Sequence, residues 1–84
     1  MHNILGIFHI NQKEFVVREL TLINGELWWR PSRNVTAHSP TLDGVHSYLA
    51  RFYKIYNCAF IGSAVCGEPH KAAEEDLIKA VGLQ

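Results

Sequence analysis

The chain has 84 residues, 48% of them hydrophobic and 19% charged, and its eight basic side chains balance eight acidic ones at a pI near 7.0. A chain of this size buries only about 60–65% of the surface its unfolded form exposes, so one domain spanning 1–84 is expected. The neutral balance argues against a dedicated nucleic-acid binder, which carries a marked basic excess. No apolar run approaches the ~20 residues needed to cross a bilayer, and the start lacks the basic n-region of a secretory signal, so a cytoplasmic location without membrane attachment is expected.

Ile4 to Ile10 reads as a first strand and Phe15 to Ile23 as a second, joined at Asn11-Gln12-Lys13. Leu27 to Pro31 follows as a third, after Asn24-Gly25. Asn and Gly both tolerate the positive φ that a two-residue type I′ turn demands at its two central positions, so this hairpin has a defined register. Ile23 pairs with Glu26, Leu22 with Leu27, Thr21 with Trp28, Leu20 with Trp29 and Glu19 with Arg30. Leu20, Leu22, Leu27 and Trp29 then share one face. Val17, Thr21, Ile23 and Trp28 share the other, with Glu19 and Arg30 opposed as an ion pair. The first turn leaves two registers open. Pairing Ile10 with Phe15 sends Leu5 and Ile7 to the Leu20 face, and a slip of one residue sends Ile4, Phe8 and Ile10 there instead. Either way both faces are apolar, whereas a half-solvated sheet would show one polar face. Something must cover the second face.

Arg33 to Ser39 is polar and aperiodic, a loop that leads into a helix capped by Ser39 with Pro40 in its first turn. Leu42, Val45, Leu49, Phe52, Tyr53 and Tyr56 recur at three- and four-residue spacing as the buried stripe, with Tyr48 and Ile55 widening it. Cys58 to Cys66 is apolar at both parities, which predicts a central strand buried on both sides, with a continued helix as the competing reading. Eight steps of ~3.3 Å would hold the two thiols about 26 Å apart, far beyond disulfide reach, so both are expected free. Gly67-Glu68-Pro69 breaks the chain before a second helix with Ala73, Leu77, Ala80 and Val81 on one side, a Glu75 to Lys79 pair along it and an end at Gly82. The expected fold is α+β in the order βββαβα, with a mostly antiparallel sheet and two helices packed on it.

Chemical motifs are sparse. Cys66, ahead of the second helix with His70 four residues on, suggests a reactive thiol, against the bland reading of a small buried residue. Five histidines invite a metal, but only Cys66 and His70 approach ligand spacing, so neither metal nor cofactor is expected. Ser63 lacks the second glycine of a nucleophile elbow, and Ile61 to Gly67 lacks the Lys of a phosphate loop. No stretch forms a motif that points to a known family. The expected activity is therefore non-enzymatic: binding of another protein by a small inhibitor, adaptor or accessory factor, of the kind mobile elements encode, with self-association open as well. Trp28, Arg30, Arg33, Tyr48, Arg51 and Ile55 are the candidate contacts, since aromatic and Arg side chains dominate protein interfaces. Two alternatives remain: a nucleic-acid accessory protein using Trp28 and the neighbouring arginines, and a thiol-dependent activity at Cys66. The charge is unevenly distributed. From Leu27 to Tyr56 the ionised groups are Arg30, Arg33, Arg51 and Lys54 against Asp43 alone, while beyond Tyr56 Glu68, Glu74, Glu75 and Asp76 face Lys71 and Lys79.

Overall fold

The computed structural model describes residues 4–65 and 67–81. Its elements are β1 (Leu5–Asn11), β2 (Glu14–Ile23), β3 (Glu26–Pro31), α1 (Leu42–Tyr48) continued by a π-helical turn (Leu49–Tyr53), β4 (Ala59–Ser63), β5 (His70–Lys71) and α2 (Glu74–Val81). The α+β class holds. The order gains one short strand, β5, because His70 and Lys71 pair antiparallel with Trp29 and Trp28 before α2 begins.

The Asn24-Gly25 turn forms as its chemistry dictates, with φ of 50° and 81°, and the β2–β3 register runs from Ile23↔Glu26 through Leu20↔Trp29 to Arg18↔Pro31. Glu19 and Arg30 are cross-strand partners, yet the ion pairs among the described residues are Lys71–Glu26 and His38–Glu14, not Glu19–Arg30. Of the two registers open for the first hairpin, the slipped one is adopted: His9 pairs with Phe15 and Phe8 with Val16, with an irregularity before Asn11↔Glu14. Phe8 and Ile10 thereby join the Trp29 face.

Strand order is β4-β1-β2-β3-β5. The segment expected at the centre, β4, therefore lies at an edge, parallel to β1, and is shorter than the expected Cys58–Cys66. Its apolar parity on both sides arises because Ile61 packs beneath α2 while Phe60 turns to the opposite face, against His9 and Phe15 at ring separations of 5.3 and 6.1 Å. Among the described thiols Cys58 is buried and free; Cys66, and Gly82 as the second helix end, lie outside the described residues.

Each helix covers one face of the sheet, which accounts for the two apolar faces. On one, Val45 and Leu49 of α1 and its continuation, both fully buried, pack with Ile7, Phe15, Val17, Ala37 and Cys58. On the other, Ala80 of α2 and Ala72 close over Phe8, Val16, Trp29 and Ile61. Trp29 is fully buried and meets Phe8 edge-on at 5.2 Å. A Cβ at Gly6 would stand 2.6 Å from Ile61 Cγ1 and 3.2 Å from Trp29 Cη2, so the bare backbone at this point is what lets the indole lie down on β1.

Two expected helix details change. The α1 cap is Thr41, whose hydroxyl accepts from Gly44 N at 3.0 Å, while Ser39 Oγ accepts from Thr41 N one turn earlier. Lys79 reaches Ile61 O at 3.3 Å on β4 instead of pairing with Glu75, tying α2 to the edge strand.

Candidate interaction surface

The π-helical turn decides what the molecule exposes. A regular helix would have carried the stripe from Val45 and Leu49 on to Phe52 and Tyr56, three and four residues apart. In the wider turn the Ile55 amide instead donates to Leu49 O at 3.1 Å, and the chain stops at Lys54 with φ 58°. The face after Leu49 is rotated. Tyr53 and Ile55 now pack against the core, and Phe52 and Tyr56 turn outward with 62% and 64% of their surface exposed. Two residues of the expected buried stripe thus become surface aromatics, and Ile55, expected as a contact residue, becomes half-buried core.

Around Phe52 the aromatic surface is continuous. The Tyr48 ring, 40% exposed, lies 4.9 Å from Phe52 and 5.8 Å from Tyr53. The Arg51 guanidinium sits 5.4 Å from the centre of the Phe52 ring, in cation–π range, and is solvent-exposed. The adjacent Tyr53 phenol, and to a lesser degree desolvation, push the Tyr48 phenol above its ordinary value, so the Tyr48 hydroxyl is neutral at neutral pH. Lys54 follows at the end of the turn, exposed. No carboxylate pairs with Arg51 or Lys54 among the described ion pairs.

The remaining candidates gather on β3 and the loop after it. Trp28 is half-buried on the α1 side of the sheet, between Thr21 and Lys71, with α2 on the opposite side and so unable to cover it. Arg30 and Arg33 are exposed and line a shallow groove of about 220 Å³ with Glu19, Thr21, Pro31 and Asn34. A carboxylate within that groove opposes phosphate binding. Tyr48 and Arg51 belong to the aromatic surface at α1 and its continuation; Arg30 and Arg33 belong to the groove beside β3, and Trp28 lies on β3 outside its lining.

Two further features were not anticipated. Arg18, at an inward-facing position of β2 between Val16 and Leu20, is only 2% exposed and donates from Nη2 to Val65 O at 2.8 Å. Its position in an otherwise apolar alternation was the available signal. Nearby, burial lowers the pKa of His70, Arg18 acts in the same direction, and Asp76 opposes both. The second feature is an open cleft of about 590 Å³ between the start of β1 and the segment after the π-helical turn, lined by Leu5, Val35, Ile55 and Cys58 among others. Burial pushes the Cys58 thiol up to about 11, so it is neutral and unreactive at physiological pH. The reactive-thiol reading of Cys66 falls outside the described residues. No group of three or more potential metal ligands converges among the described residues.

Comparison with family models, curated proteins and solved structures finds no match.

Proposed function

We propose that the protein acts without catalysis, by binding another protein through the Tyr48–Arg51–Phe52 surface. The observation that carries this reading is the outward rotation of Phe52 beside Arg51. A large aromatic ring 62% exposed, flanked by a second ring and a guanidinium, combines the side chains that dominate protein-interface energetics. Leaving such rings in water gives up the transfer free energy of their apolar area, about 25 cal/mol per Å², which a partner recovers. The exposed cations Arg51 and Lys54, which pair with no carboxylate among the described residues, would steer and orient that partner.

The test places a photo-crosslinking p-benzoylphenylalanine at Phe52 in protein expressed in its native cell, with Leu22, itself 67% exposed, as the control position. A discrete protein adduct from position 52 that is absent from position 22 supports the reading. Equal, diffuse labelling from both positions overturns it, and an adduct to nucleic acid would transfer the site to the accessory-protein alternative.

A further inference from the structure

The acidic part of the chain forms a surface that complements the cationic aromatic one. On α2, Glu74 and Ile78 are four residues apart and so lie on one side of the helix, with Glu75 beside them. All three are exposed, Ile78 by 46%. Together with Ala73 they line a shallow, open depression of about 370 Å³. Among the described residues, the carboxylate of Asp76, which accepts from Ala73 N, is the one of the three acids of this turn with a hydrogen bond. The described ion pairs involve neither Glu74 nor Glu75.

We infer that the partner of the Arg51–Phe52 surface is a second copy of this chain, whose α2 depression receives the Phe52 ring while Glu74 and Glu75 pair with Arg51. This deepens the binding reading above and rests on it. Two observations converge. The charges correspond, a guanidinium and two carboxylates that take part in none of the ion pairs among the described residues. The two surfaces also belong to helices on opposite faces of the sheet, so one molecule cannot satisfy itself. With a formal net charge of zero, no long-range repulsion keeps copies apart. Because the donor and acceptor surfaces differ, the contact is head-to-tail, and each addition leaves one free surface of either kind until a ring closes.

Sedimentation velocity of the wild-type chain across a wide concentration range should show mass rising beyond a dimer. Arg51→Glu and Ile78→Asp, each at an exposed position, should each remain monomeric, with association weakened at least about tenfold. Mixed in equal amounts they should form a one-to-one dimer that grows no further, because one variant retains the hollow and the other the ring. Circular dichroism establishes that both variants are folded. A wild-type chain that stays monomeric at every concentration overturns the self-association, as does growth by either variant alone or a mixture that stays monomeric. Crosslinking of Phe52 to a foreign protein alongside a monomeric wild type would leave the binding reading intact while removing this partner, so the two fail separately.

Discussion

At the scale of single residues, the chain places unusual demands on a few positions. Gly6 leaves room for Trp29, and Arg18 keeps a charged group inside the same layer by donating to a backbone carbonyl. Removing a hydrogen-bonded acceptor from such a charge costs far more than the contact itself contributes, because the ion cannot recover water. Cys58 makes a comparable demand through protonation. Its thiol is only 8% exposed, and its pKa of about 11 stands above the value of an unfolded cysteine. Since the folded pKa is the higher one, the unfolded chain loses this proton first on going alkaline. The thiol's contribution to stability is therefore full below about pH 9 and is lost as pH rises toward about 11. Urea unfolding at several alkaline pH values should show wild type losing stability faster than Cys58→Ala across that window, with parallel curves below it. Parallel curves throughout would show that the thiol is solvated in the folded state.

At the scale of elements, the structure divides into what local chemistry dictates and what packing decides. The β2–β3 hairpin was legible to the residue because Asn24 and Gly25 admit the turn's positive φ angles, and one turn fixes every pairing along two strands. The first hairpin was legible only as a choice of two, since Asn11-Gln12-Lys13 does not impose a turn type. An edge position for β4 could not be read, because an edge strand covered by α2 on one side and carrying Phe60 on the other has the same composition as a central strand. Nor could the π-helical turn. Its wider turn accompanies the burial of Leu49 and the packing of Ile55 against the core, and it reassigned Phe52, Tyr53, Ile55 and Tyr56 together. The excess width of the apolar stripe, noted with Tyr48 and Ile55, was the trace it left in sequence. The turn ends on Lys54 at φ 58°, an arrangement that costs an L-residue about 1 kcal/mol and glycine nothing. Lys54→Gly should accordingly stabilise the fold by up to about 0.5 kcal/mol, once the looser unfolded chain is allowed for. A higher urea midpoint at unchanged slope is the expected readout. An unchanged or lower midpoint would mean that the lysine stem contributes packing of its own to the helix end.

At the scale of the molecule, one sheet separates two apolar layers of unequal quality. The layer under α1 contains Val45 and Leu49, both fully buried, and its helix is capped and held by a continuous chain of contacts through Ala37 and Cys58. The layer under α2 is closed by a helix of eight residues, none of them fully buried, attached through Ala80 and the Lys79 bond to β4. The same asymmetry appears in the strands: β1 and β2 are flanked on both sides, whereas β5 is two residues long. Local opening follows such differences, because the free energy needed to release an element scales with the apolar contacts it gives up. Hydrogen exchange under native conditions should therefore rank the amides of α2 and β5 as the first to open, well below the global unfolding free energy, with β1 and β2 exchanging only on complete unfolding. Urea added below the transition should accelerate β1 and β2 with the full slope and α2 with a smaller one. If α2 instead exchanges together with β1, the two layers form one cooperative unit. The head-to-tail contact gives this ranking a direct consequence. An occupied α2 depression stabilises only states in which α2 is docked, so protection of α2 should rise with protein concentration while that of β1 does not until global stability itself is reached. Concentration-independent exchange at α2, measured in a range where sedimentation detects assembly, would place the contact on some other element.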